Sequence, residues 1–135
     1  MGRKILLITT DQQRYDGLGF AGGRFAKTPV IDKLAADGIV YRQARNQCAV
    51  CMPARCTILT GQHVRMHGVT SNGIALPADH PSVAHALKAA GYKTALIGKG
   101  HFEPHAAKDF FENKAAGENN FCLLYTSDAA DERNS

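Results

Sequence analysis

The sequence predicts an α/β fold, a mainly parallel sheet flanked by helices. Three observations predict it. Short apolar runs rich in β-branched residues and leucine alternate with segments of helical periodicity. Glycine-containing loops follow the first and last of these runs, where ligands of parallel sheets collect. The composition, 44% hydrophobic and 21% charged over 135 residues, suits a chain that can bury a core.

The elements follow in order. Residues 4–9 read as a fully buried first strand, and residues 11–24 as an irregular glycine-rich loop at its carboxyl end. Thr28 is expected to cap a helix that opens on Pro29, with Val30, Ile31, Leu34 and Ala35 as its apolar face. Gly38 should end it in a left-handed conformation. Residues 39–44 read as a short strand. A second helix is expected over residues 53–59, with Gly61 just past its end. A third is expected over residues 81–90, turning Val83, Ala84 and Leu87 inward and stopping at Gly91. Residues 92–97 form another expected strand, residues 98–105 its carboxyl-end loop, and residues 109–114 the start of a further helix.

The net charge of +4 comes from scattered Lys and Arg, so no nucleic-acid-binding stripe is visible. No apolar run is long enough to span a membrane. The start, Met1 to Ile8, imitates an export leader only briefly, and no small-residue cleavage site follows, which points to the cytoplasm. Four cysteines do not suggest a disulfide framework in a chain with this much core material.

The segment with the most chemistry runs from Cys51 through Met52, Pro53, Ala54 and Arg55 to Leu59, Thr60 and Gly61. Pro53 suits the first turn of a helix, which puts Cys51 at or just before the N-cap. Free backbone N–H groups and the helix dipole favour an anion there. Arg55 lies about one turn further on, so its guanidinium can return to that end and face the same anion.

Cys51-x-Pro53-Ala54-Arg55 with Leu59-Thr60-Gly61 is similar to the signature of the formylglycine-dependent sulfatases, of the alkaline phosphatase superfamily. Two further segments carry the likeness. Thr10-Asp11-Gln12 resembles the metal-binding end of that family's first strand, and Gly98-Lys99-Gly100-His101 resembles its Gly-Lys-x-His segment. The resemblance implies an alkaline phosphatase-like fold, truncated here, and hydrolysis of a sulfate monoester. Cys51 would be oxidised to formylglycine by a formylglycine-generating enzyme and would serve as nucleophile and metal ligand. Arg55, Lys99 and His101 would complete the catalytic set. Asp11 and Gln12 would hold a divalent metal, calcium or in its place manganese, and Asn72, Lys99 and His101 would bind substrate. The implied partners are a small sulfate ester and the modifying enzyme, with neither nucleic acid nor membrane.

The match is not uniform. Gln12 stands where many sulfatases have a second Asp, an arrangement similar to that in choline sulfatases and phosphonate monoester hydrolases. Asn72 occupies the stretch from which an Asn reaches the site in those relatives, whereas Lys99 and His101 point back to a sulfatase. The remaining family ligands come from much later in a chain, so this piece is expected to be inactive alone.

Simpler readings compete. Asp11 after a strand is often a turn residue, and Asn72 before Gly73 reads first as a turn. Cys48 and Cys51 form a Cys-x-x-Cys that could be a redox pair, or a zinc knuckle with Cys56 and His63 as irregular further ligands. Cys48 and Cys56 otherwise read as buried small hydrophobes. His85 reads as structural, while His63, His67 and His105 have no assigned role; Glu103 and His105 are undecided pocket candidates. Finally, residues 122–132 resemble the translation of a transposase-type sequencing adapter. The division drawn from the sequence is therefore residues 1–121 as the N-terminal part of a catalytic domain and residues 122–135 as a non-native tail set aside from fold reasoning.

Overall fold

A computed structural model describes residues 4–101, 113–115 and 121–128, the last two segments as backbone strands. The chain divides into two compact units, Met1–Thr9 with Asn46–Ser135, and Thr10–Arg45.

The larger unit is built on a four-stranded sheet. Its strands are β1 (Ile5–Thr10), β2 (Tyr92–Gly98), β3 (Asn113–Ala115) and β4 (Phe121–Asp128), in the spatial order β1-β4-β2-β3. β3 pairs parallel to β2, with Ala95 opposite Asn113 and Ile97 opposite Ala115. β4 pairs antiparallel to the whole of β2, from Tyr92 opposite Asp128 to Gly98 opposite Cys122. The sheet is thus mixed, which corrects the mainly parallel expectation. The antiparallel ladder comes from the segment set aside in the sequence reading. Asn113–Ala115 is strand rather than the expected helix, and residues 109–112 lie outside the described residues.

Among the described residues three helices accompany the sheet: α2 (Cys51–Thr60), α3 (Val64–His67) and α4 (Val83–Ala89). α2 begins two residues before its proline. Pro53 is tolerated there because the first N–H groups of a helix have no intrahelical partner. α2 ends at Gly61 with φ 67°, and the Thr60 hydroxyl donates to the Cys56 carbonyl at 2.7 Å, so the Thr-Gly pair closes the helix as expected. α4 starts at Val83 rather than Pro81, because Ser82 caps it: the Ser82 Oγ accepts the His85 backbone N–H at 3.3 Å. Val83 is exposed, while Ala84 faces the core.

The core gathers one stripe of α2, namely Met52, Cys56 and Leu59, against Val69, Leu76, Ala84 and Leu96. Spacings of four and three residues put these three α2 side chains on a single helical face. By contrast, the apolar side chains of β1 are not buried: Ile5, Leu6, Leu7 and Ile8 are 38–55% exposed. That corrects the buried-strand reading. No helix among the described residues packs closely on β1, so its apolar character has nothing to bury against.

The smaller unit contains α1 (Pro29–Asp37) and two 3-10 turns, Tyr15–Gly17 and Gly19–Ala21. Thr28 is the N-cap residue, but its side chain makes no cap bond. Its hydroxyl instead accepts the Gly19 N–H at 2.8 Å and donates to Asp32 at 2.9 Å, and Asp32 also accepts the Phe20 N–H. The glycine-rich loop is tied to α1 through this carboxylate, and a Cβ at Gly19 would collide with it. Gly38 ends α1 in extended backbone, φ −121°, not in the left-handed cap expected. Residues 39–44 form no strand, and Ile39 and Tyr41 are exposed. A strand needs a ladder partner, and none pairs there. Val30 and Leu34, the intended apolar face of α1, are likewise exposed.

Two expectations for stability follow. Met52→Ala empties a site with no exposed surface. It should cost about 2–5 kcal/mol in denaturant unfolding of the chain, with Ile58→Ala, on the exposed face of α2, near neutral. His67 is buried; its Nδ1 accepts the Val69 N–H at 3.2 Å and its Nε2 lies 3.1 Å from the Thr57 hydroxyl. This geometry suits the neutral ring, and burial, then the nearby His80, lower its pKa from the ordinary 6.5. The unfolded chain therefore binds the proton more readily than the folded one. Stability should be complete above pH 6.5 and fall as the pH drops through that value toward the lower folded pKa. Thermal unfolding of the chain between pH 8 and 5 reads this slope, and His67→Gln should flatten it.

Candidate functional site

The site grows from the start of α2. Val50 is the N-cap residue and offers no side-chain cap, so the first N–H groups of the helix look elsewhere for partners. Cys51 is the first helical residue, one step further into the helix than the sequence suggested. The missing cap comes from across the fold: the Asn72 Oδ1 accepts the Met52 N–H at 3.2 Å. That bond orients the carboxamide and turns Nδ2 toward Cys51, 3.5 Å from its sulfur. Gly73 follows with φ 87°, and its N–H points at the Met52 sulfur at 3.2 Å. Asn72 is therefore both the turn residue that its Asn-Gly context suggested and a neighbour of Cys51.

Cys51 and Arg55 lie on one stripe of α2, rotated from the buried stripe by about 100°. Both are half-buried. One Nη of Arg55 donates to the Lys99 carbonyl at 2.9 Å, which ties α2 to the loop that leaves β2. A guanidinium has further donors for other acceptors. Lys99 and His101 are half-buried in that loop. His101 has φ 55°, and among the described residues the only other non-glycine with positive φ is Gln12, also at 55°. A non-glycine side chain there is uncommon and carries local strain, a feature that gathers at functional positions. Both residues had been singled out from the sequence on other grounds.

Within the larger unit α2 thus carries Cys51, in contact with Asn72, and Arg55, bonded to the Lys99 backbone, with His101 two residues beyond Lys99. Asp11, half-buried, and Gln12, exposed, open the smaller unit directly after β1. Their side chains are a carboxylate and a neutral carbonyl, hard oxygen donors of the kind calcium or magnesium takes. Glu103 and His105 lie outside the described residues.

The remaining cysteines separate clearly. Cys56 has no exposed surface, and burial pushes its thiol up to about 11, the behaviour of an inert core residue. Cys48 is half-buried, not core, and its sulfur accepts the Val50 N–H at 3.4 Å. Among the described residues no three His, Cys, Asp or Glu side chains converge as a metal cluster, so the zinc-knuckle reading gains no support.

Sequence reasoning gave His67 no role, yet it bonds α3 to Thr57 of α2 and heads the segment that carries Asn72. Only its position just before Gly68, a left-handed cap with φ 76°, hinted at a fixed conformation.

The chain also resembles known proteins. The Sulfatase family profile matches residues 3–134. An ulvan-active sulfatase of Formosa agariphila is 39% identical over 101 residues, covering 75% of this chain and 20% of that protein. The multifunctional alkaline phosphatase superfamily protein PehA of Trinickia caryophylli is 39% identical over 101 residues, covering 71% and 20%. The steryl-sulfatase of Rattus norvegicus is 34% identical over 122 residues, covering 81% and 21%. The chain spans about a fifth of the length of these curated relatives. A profile that matches nearly the whole chain, together with Cys51 and Arg55 on one stripe of α2 beside the loop of Lys99 and His101, makes this chain a member of the sulfatase family.

Proposed function

We propose that the protein to which this chain belongs hydrolyses a sulfate monoester, using a formylglycine made from Cys51. The observation that carries the reading is the start of α2, where Asn72 and the Met52 N–H frame Cys51 and Arg55 reaches the loop of Lys99. Sulfate ester cleavage needs a nucleophile at sulfur, charge stabilisation on the non-bridging oxygens and help for the leaving alcohol.

A thiol is a soft ligand beside a hard cation; the hydrate of an aldehyde offers oxygen instead. Asp11 and Gln12 would hold a divalent metal, with calcium as the first choice, and the metal when bound would supply positive charge to the reacting oxygens. Arg55 orients and offsets charge at position 51. Asn72, its Oδ1 engaged by a backbone N–H, has Nδ2 left to donate at that position. Lys99 and His101 bind sulfate oxygens, and a protonated His101 can hand its proton to the departing alcohol. Family relatives carry the remaining metal ligands in later sequence, so this stretch supplies only part of the site.

A second reading, a phosphonate or phosphate ester hydrolase on the same scaffold, is favoured by Gln12 and by the contact of Asn72 with Cys51. Lys99 and His101 favour the sulfate ester.

Coexpression of the chain with a formylglycine-generating enzyme should lower its intact mass by about 18 Da, localised to residue 51, and Arg55→Ala should reduce conversion. An unchanged Cys51 under conditions that convert a known substrate would overturn the reading. In the full-length enzyme, Cys51→Ala should abolish hydrolysis of an aryl sulfate. Lys99→Ala should lower kcat/KM by about 10²–10³-fold. A larger kcat/KM for an aryl phosphonate than for the matching sulfate would favour the second reading.

A further inference from the structure

We propose that Cys48 is a second functional thiol of this site, one that closes a reversible disulfide with Cys51 and so withholds Cys51 from conversion to formylglycine. The disulfide rests on the placement and exposure of the two thiols; the withholding rests on the function proposed above.

The two cysteines bracket the turn that leads into α2. The chain bends at Ala49 and Val50, and the Cys48 sulfur folds back to within 3.4 Å of the Val50 backbone nitrogen, the residue directly before Cys51. Both thiols are half-buried and therefore reachable. Cys51 takes the first helical position, where its own N–H has no intrahelical partner. A Cys-x-x-Cys at a helix start is a compact frame for thiol–disulfide exchange.

Cys48 is also open to a reagent. It lines a cavity of about 620 Å³ together with Gln47, His63, Val64, Arg65 and Met66. Arg65, on an otherwise mostly apolar wall, is the charged group that a small disulfide carrying carboxylates would meet, the class of oxidised glutathione. The third described cysteine does not compete. Cys56 is enclosed in the core, with its thiol held well above the usual range.

The chemistry balances with such an oxidant. The thiolate of one cysteine attacks a sulfur of the small disulfide; the S–S bond of the reagent breaks, and one thiolate leaves. A mixed disulfide now joins protein and reagent. The thiolate of the second cysteine attacks the protein-side sulfur, the mixed bond breaks, and a second small thiolate leaves. The cysteine pair loses two electrons, the reagent gains them, and the two protons from the protein thiols go to the departing thiolates. The Cys51 sulfur in the product has no free thiol, the group that conversion to an aldehyde consumes.

The test uses the chain as it is. Equilibration with graded mixtures of reduced and oxidised glutathione, acid trapping and cleavage after Arg45 and Arg55 release one peptide, residues 46–55, that contains Cys48 and Cys51 and no other cysteine. It should lose about 2 Da relative to the dithiol in oxidising mixtures and regain it under reductant. Cys51→Ser should leave Cys48 trapped as a glutathione mixed disulfide, because the resolving thiol is gone. Two glutathione adducts on the native peptide, or two free thiols throughout the series, would overturn the pairing. Chain oxidised beforehand should resist the formylglycine-generating enzyme, and reductant should restore conversion. Equal conversion of both forms would sink the withholding role and leave the pair standing. Conversion of neither form, with the peptide disulfide present, would count against the formylglycine reading and the withholding together.

Discussion

The rotation of α2 about its own axis is the constraint on which the site depends. Met52, Cys56 and Leu59 fill one side of the helix and meet Val69, Leu76, Ala84 and Leu96. Close packing permits little rotation of that stripe. Once it is seated, helical geometry leaves Cys51 and Arg55 no freedom: both fall on the adjoining stripe, half-covered and facing outward from the core. The outward placement of Cys51 and Arg55 is in this sense a by-product of core packing one residue away. Cys56 illustrates the contrast. It is the same residue type on the same helix, yet burial makes its thiol inert.

Three polar contacts then convert a packed helix into a site. Asn72 provides the cap that Val50 cannot: its Oδ1 accepts the Met52 N–H, and its amide lies against the Cys51 sulfur, with Nδ2 at 3.5 Å and Oδ1 at 3.6 Å. His67 bonds Thr57 through one ring nitrogen and accepts the Val69 N–H on the other, which anchors the segment leading to Asn72. Arg55 reaches the Lys99 carbonyl and so couples α2 to the end of β2. Each contact uses a group that would otherwise be unsatisfied near the interior, so structural need and functional placement coincide.

Apolar surface elsewhere in the chain lacks this closure. β1, α1 and the stretch after α1 expose Leu6, Ile8, Val30, Leu34, Ile39 and Tyr41. Their sequences have the apolar character of covered elements. The relatives that share this family are about five times as long as the matched segment.

The sequence by itself determined the local grammar. Thr60-Gly61 ends α2, Gly91 stops α4, residues 92–97 form a strand, and Cys51 stands with Arg55 at the head of a helix. These depend on dihedral preference, hydrogen-bond supply and helical period, all of which act over a few residues. Tertiary structure decided the rest. The start of α2 moved to Cys51 because a proline fits anywhere in a first turn, and the cap came from twenty residues away in the chain. Burial of β1 and the strand expected at 39–44 failed as local inferences, and the sheet is parallel at β2–β3 but antiparallel at β2–β4. Each depends on what lies across from a segment, and no window along the chain contains that neighbour.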